Sequence, residues 1–257
     1  MQCVITNPVS EQIVHGRGTR VMVVVSFTTI TFDNAILFSP IIESEYSMKL
    51  VVFGAISRTG IPLIQQALDA GHEVVGFLRT PSKMSIQHER LTLIQGDVMT
   101  ADDVNRAITP DVDAVLNTIG AMKDSPPDML PRGTDNIIMA MQKNDVKRFV
   151  FMTGAAVAAP QDQPKLLHRF IDLMFKMFLS DTVRQGEEAL ARLHASDRDW
   201  LVVRAPRLTD GDYTGNIRVG WVGVNTGTQL NRADAAAFML RQITSNEYLK
   251  QAPLVTN

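Results

Sequence analysis

A chain of 257 residues with 45% hydrophobic and 20% charged side chains is long enough to bury the core of one α/β domain and a small appended region. Its formal net charge of −2 gives no excess of basic charge for a nucleic-acid or polyanion partner. A single cysteine, Cys3, excludes an intrachain disulfide and any cysteine-based metal cluster, and fits a reducing compartment such as the cytosol.

Residues 1–47 stand apart from the pattern that follows. Val21 to Phe32 is apolar and β-branched, and behind Arg17 and Arg20 it imitates the charged and apolar regions of a signal peptide. It is too short to span a bilayer, ends at Asp33 and Asn34, and is followed by no convincing small-residue cleavage site. The expectation is an N-terminal extension outside the core, with Met48 as the functional beginning. An added hairpin or partner-binding segment is the alternative.

Met48 to Lys83 reads as a complete strand–helix–strand unit. Lys49 to Phe53 is a short apolar run, as in a strand buried on both faces of a parallel sheet. Ile61, Leu63, Ile64, Ala67 and Leu68 fall at helical spacing, Gly71 stops the helix, and His72 to Leu78 forms a second strand. Between the first strand and the helix lies Gly54-Ala55-Ile56-Ser57-Arg58-Thr59-Gly60. Glycines six apart in that setting form a dinucleotide fingerprint: Gly54 permits the tight turn and Gly60 close packing of helix on strand. The free N–H groups of the first helical turn then face a pyrophosphate. The middle position, usually glycine, is Ser57, whose hydroxyl is small enough to fit and able to donate to a phosphate. Glycines that serve packing alone are the competing reading.

Arg79 ends the second strand, where an acidic residue would accept from a free ribose 2′-hydroxyl and an arginine instead pairs with the 2′-phosphate of NADP. Lys83 adds a second positive charge, and Arg58 is a further candidate for the same phosphate. These residues favour NADP(H) over NAD(H). A third strand, Leu91 to Gln95, leads to Gly96-Asp97-Val98. There Asp97 either accepts from the adenine amino group, with Val98 against the ring, or caps the turn before a helix near Ala101. Asp102 and Asp103 suit that helix's first turn and need no functional explanation. A fourth strand, Asp113 to Asn117, runs into Thr118-Ile119-Gly120, where the strand order should reverse and the backbone can approach the cofactor. Lys123 to Arg132 is expected as a loop, Gly133 to Lys143 as a helix, and Arg148 to Met152 as the fifth strand. After Trp200 to Arg204, the Gly- and Asp-rich run Asp210 to Gly215 is expected to be a mobile loop and lid. Arg232 to Ile243 reads as a helix with Asp234 in its first turn, and Pro253 to Thr256 as a final edge strand.

GAISRTG, FLRTPSK, QGDV, TDNIIMAMQKNDVKRFVFMTG, LVVRAPRLTDG and NRADAAAFML, in this order, resemble an atypical short-chain dehydrogenase/reductase. The matching branch is the NAD(P)H-binding group of biliverdin reductase B-like flavin reductases and NmrA-like proteins. The resemblance covers nearly all of residues 48–257. It implies a doubly wound, mostly parallel Rossmann sheet with a small C-terminal substrate region, NADP(H) as cofactor and a small-molecule substrate. It also places Thr153 beside the nicotinamide, as a group orienting the substrate or as a simple strand-end residue. The group holds both reductases and redox-sensing regulators. Of the chain's three tyrosines, Tyr46, Tyr213 and Tyr248, none is followed four residues later by a lysine, so the usual Tyr/Lys proton donor is absent. The expected reaction is hydride transfer to a planar or apolar acceptor. The alternative is a regulator that binds NADP(H) without turnover. Lys165 to Leu179, apolar around most of a helix, packs in the core or covers a pocket for such a substrate; its lone His168 reads as structural.

Overall fold

The computed structural model describes residues 10–16, 19–32, 35–122, 124–164 and 180–257, and their side chains from residue 47 onward. Strands β1 (Ser10–Gly16), β2 (Thr19–Phe32) and β3 (Ala35–Tyr46) form an antiparallel sheet of their own, in the order β1-β2-β3. The β-branched run behind Arg20 is thus a paired strand, and none of the three joins the main sheet.

The main body follows as β4 (Lys49–Phe53), α1 (Gly60–Asp69), β5 (Glu73–Leu78), a 3₁₀ turn at Pro81–Lys83, β6 (Leu91–Gln95), α2 (Ala101–Ala107) and β7 (Ala114–Asn117). Then come α3 (Met129–Lys143), β8 (Arg148–Gly154), α4 (Ser180–Ala195), β9 (Asp199–Ala205), β10 (Arg207–Thr209), β11 (Arg218–Gly220), β12 (Gln229–Asn231), α5 (Arg232–Arg241) and β13 (Leu254–Thr256). Eight strands make one sheet in the order β11-β13-β9-β8-β7-β4-β5-β6, parallel throughout except where β11 meets β13. Strands β10 and β12 pair separately.

Alternation along each strand divides the core in two. Val51, Phe53, Val115, Phe149, Phe151 and Trp200 face α2, α3 and α4, whereas Leu50, Val52, Leu116, Val150 and Leu201 face α1 and α5. Helix α1 buries Leu63, Ile64, Ala67 and Leu68 on that second face, at about 1.5–3 kcal/mol for each large side chain. A doubly wound, mostly parallel sheet with helices on both sides is the Rossmann architecture.

Three expectations are corrected. Helix α3 begins at Met129, inside the segment read as a loop. Pro131 falls in its first turn, where a missing N–H costs nothing. The last strand is not an edge: β13 lies between β9 and β11, and β11, unforeseen, forms the edge. The run Asp210 to Gly215 is not a free lid. Thr214 N–H, Thr214 Oγ1 and Gly215 N–H all donate to the buried carboxylate of Asp234, at 2.8–3.0 Å, and Asn231 Nδ2 donates to Asp212 O at 2.7 Å. The apolar segment Lys165 to Leu179, with His168, lies outside the described residues.

Candidate functional site

Connections leave β4 and β7 in opposite directions. Strand β4 runs through α1 to β5, and β7 runs through α3, on the other face, to β8. Neighbouring strands whose connections diverge leave a crevice at their carboxyl ends. The turn after β4 and the residues after β7 both open onto it.

The turn is shaped by contacts with its own chain. Gly54 has φ +78°, and a Cβ there would lie 2.7 Å from Thr118 Oγ1. A Cβ on Gly60 would lie 2.2 Å from Gly54 O, so only glycine lets α1 start this close to the strand. Packing therefore accounts for both glycines, and the shape it produces leaves backbone donors unused. Among the described residues the N–H groups of Ile56, Arg58 and Thr59 have no partner. Exposed N–H groups at a helix start suit an anion.

Ser57 is engaged within the turn. Its Oγ accepts from Gly60 N–H at 2.8 Å and lies 2.8 Å from Thr118 Oγ1, a contact in which either hydroxyl can donate. Thr118 Oγ1 is also 3.1 Å from the carbonyl oxygens of Phe53 and Gly54. The serine thus holds the first N–H of α1 and joins the turn to the residue after β7. Thr118 N–H completes the seam with 2.9 Å to Phe53 O.

Of the predicted cations, Arg79 is exposed just past β5, and its side chain has no partner among the described residues. It lines an open cleft of about 590 Å³ with Gln95, Gly96, Asp97, Asp103 and Arg106. Lys83 is exposed in the 3₁₀ turn four residues on and is not among the residues lining the cleft. Arg58, also exposed, is ion-paired with Asp210. Asp97 is held from both sides: its Oδ1 accepts from Met99 N–H, and its own N–H donates to Asp103 Oδ2, each at 2.9 Å. That bond and the neighbouring Arg106, 2.8 Å away, hold the Asp103 carboxyl below the usual carboxylate range. Asp103, read from sequence as a dipole partner, thus fixes the turn of Asp97. Val98 is buried against Gly133 of α3, and its carbonyl takes Asn136 Nδ2 at 2.9 Å.

Across the crevice Asn117 is buried and its Oδ1 accepts from Ile119 N–H at 2.9 Å, shaping the turn into Gly120. Among the described residues, neither Gly120 nor Gly154 has a heavy atom beyond its chain neighbours within 4 Å of where a Cβ would stand, so within that set the carboxyl ends of β7 and β8 border open space. Thr153 lies beside it, half-buried, its Oγ1 3.1 Å from where a Cβ of Gly186 in α4 would be.

Two buried charged residues anchor the C-terminal elements: Arg204 was not singled out in the sequence, and Asp234 was read there only as a first-turn acid. Arg204, fully buried and paired across strands with Thr153, makes two bonds of 2.6 and 2.7 Å to Asp162, and two more to the carbonyls of Ala252 and Val157. Burial raises the Asp162 carboxyl, but Arg204 and the N–H groups of Ala159 and Val222 outweigh it and hold the group below its ordinary value. The second anchor is Asp234. Burial again raises its carboxyl, and bonds from Thr214, Gly215 and Asn257 bring it below the ordinary range. A charged residue among the β-branched residues of a central strand was the one available signal for Arg204.

A family model described as NAD(P)H-binding matches residues 54–246. The chain is 23% identical to the uncharacterized protein YwnB of Bacillus subtilis over 210 residues, 78% of this chain and 94% of YwnB. Photosystem II assembly factor Ycf39 of Synechocystis is 28% identical over 141 residues, 52% of this chain and 41% of Ycf39. The chain spans about a third to two fifths of the length of the curated relatives it first matches. Among solved structures, the oxidoreductase ylbE of Lactococcus lactis superposes with TM-score 0.68 at 17% identity, covering 82% of this chain and 91% of that one. ChuY, an anaerobillin reductase from Escherichia coli O157:H7, does so with TM-score 0.64 at 20% identity, covering 81% and 96%. A short-chain dehydrogenase/reductase of Veillonella parvula in complex with NADP gives TM-score 0.65 at 16% identity, covering 82% and 94%. At these identities the structural likeness speaks for the fold. Matched by the family model over most of its length, and built on the strand order and glycine turn such a cofactor requires, the chain is a Rossmann-fold member of the NAD(P)H-binding family.

Proposed function

We propose that the protein reduces a small planar or apolar acceptor, such as a flavin or quinone, with NADPH and without a Tyr/Lys proton donor. The observation that supports this reading is the floor at Gly120 and Gly154, open among the described residues, together with the lack of an activated tyrosine among those residues. Tyr213 is 57% exposed on the Asp210 to Gly215 loop. Tyr248 packs beside Phe238, and burial together with Glu247 pushes its phenol up to about 12, the wrong direction for a proton donor near neutrality.

Bound NADPH supplies the hydride. In this reading the N–H groups of Ile56, Arg58 and Thr59 hold the diphosphate. Arg79, with Lys83 near it, pairs with the 2′-phosphate and sets the preference for NADP(H). One carboxylate oxygen of Asp97 caps the turn and the other accepts from the adenine amino group, so its two roles are compatible. Residues Asn117 to Gly120 back the ribose side of the crevice. Thr153, near the end of β8 and beside Gly186, orients the acceptor by a hydrogen bond. Water delivers the proton, and the reaction rests on positioning. A cytosolic location accompanies this reading, supported by the single cysteine; no helix among the described residues is long and apolar enough to cross a membrane.

A second reading is favoured by the missing Tyr/Lys pair and by partial similarity to a protein named as an assembly factor: an NADP(H)-binding regulator without turnover. One cuvette separates the two. NADPH is titrated against the protein, then flavins, quinones, aldehydes and anaerobilin are added while the nicotinamide absorbance is followed. Loss of that absorbance with a ring acceptor is the expected result. Tight binding with no oxidation by any acceptor would sink the reductase and favour the regulator.

A further inference from the structure

The mouth of the glycine turn holds a carboxylate shared by two arginines. Arg58, between the two turn glycines, pairs with Asp210 Oδ2, and Arg232, the first residue of α5, pairs with Asp210 Oδ1 at 2.7 Å. The two ends of this bridge differ. The Arg58 side chain is 69% exposed and that of Asp210 64%, whereas that of Arg232 is only 13% exposed. An ion pair between groups this exposed contributes little and exchanges readily; the pair with Arg232 is better shielded. The segment beyond Asp210 is itself fastened by Asp234 and Asn231, which keeps the carboxylate at the mouth.

From this arrangement we infer that Asp210 is an internal competitor for a cofactor phosphate: its carboxylate occupies Arg58 in the free protein and gives it up when NADPH binds. Arg58 carries one of the unpartnered backbone N–H groups of the turn, so its guanidinium and its amide belong to one anion-binding surface. Arg232 retains Asp210 after the exchange, so release needs no loop opening. The consequence is a cofactor affinity set below what the turn alone would give. Asp210 is then a determinant of affinity that lies outside the glycine motif. This inference rests on the assignment of the turn to the cofactor's phosphates.

Four proteins test it: wild type, Asp210→Asn, Arg58→Ala and the double variant, each titrated with NADPH and with NADH. Asp210→Asn should bind NADPH about fivefold more tightly, the scale of an exposed ion pair. Arg58→Ala should bind it more weakly. In the Arg58→Ala background, Asp210→Asn should change nothing, because the competition is gone. A gain confined to NADPH would identify the 2′-phosphate as the group Arg58 receives; a gain shared with NADH would identify the diphosphate. Unchanged or weaker NADPH binding by Asp210→Asn, with wild type binding normally, would overturn the competitor while leaving the cofactor site intact. A gain that persists without Arg58 would overturn it as well. Salt gives an independent readout on the unmodified protein, since exchange of one ion pair for another should make affinity less salt-dependent than in Asp210→Asn; equal salt slopes would count against it.

Discussion

Arg79 and Arg58 carry the same charge and follow neighbouring strands, yet their surroundings set different roles. Arg79 forms no ion pair among the described residues and lines the open cleft past β5 and β6. Arg79→Ala should therefore weaken NADPH by roughly 1.5 to 3 kcal/mol, the worth of a charge-assisted contact, and NADH much less. Titration of both nucleotides checks this, and equal losses would remove Arg79 from the 2′-phosphate. What could be read at this scale was what is local. Gly54, Gly60 and Arg79 stand at fixed offsets from one strand and one helix, so spacing alone located them. The contact of Ser57 with Thr118, 61 residues away, and that of Arg58 with Asp210, 152 residues away, were not read. Pairings at such distances leave no trace in a local pattern.

At the scale of elements, the C-terminal part of the chain is held by two acids, Asp162, which pattern reading passed over, and Asp234, which it read only as a helix-start charge. Arg204 on β9 gathers the segment after β8 and the last strand through Asp162, Val157 and Ala252. Asp162→Asn leaves a fully buried guanidinium without its counter-charge and should cost about 3–5 kcal/mol, read as a lower urea midpoint. Both Asp162 and Asp234 titrate below the ordinary value of 3.8. Their folded pKa lies under the unfolded one, so their contribution is complete above about pH 5 and is lost as pH falls through the folded values. Urea unfolding at a series of pH values should show stability dropping below about pH 4, with a shallower drop in Asp162→Asn. An identical acid limb in the variant would mean that Asp162 carries none of it. The shortened edge and the interior position of β13 were illegible for a related reason: three-residue strands such as β10, β11 and β12 carry too little periodicity to be recognised before their partners are known.

For the whole molecule, the boundary near residue 47 is the largest open expectation. The three strands before it pair only with one another, and the main body takes hold of the chain at Ser47 and Met48. Ser47 Oγ donates to Gly71 O at 2.9 Å and Met48 N–H to His72 Nδ1 at 3.3 Å. Burial, with Arg90 nearby, lowers the His72 pKa and keeps the ring a neutral acceptor. A chain beginning at Met48 should melt within a few degrees of the full chain and bind NADPH equally well. A collapse in its melting temperature would make residues 1–47 part of the folding unit. The doubly wound sheet itself was legible because its long strands and helices alternate regularly, and that alternation admits few topologies.

The seam at Thr118 also orders events in time. It reaches 64 residues back to Gly54 O, across a strand pair that cannot form until the two halves of the sheet have met. Contacts of such long range are slow to arrive, because the intervening chain must close into a loop first. The glycine turn is therefore expected to take its shape late in folding, once β4 and β7 have paired. A nucleotide recognises the finished molecule: it adds to stability by mass action once the chain is folded, and gives little help to a chain still on its way there.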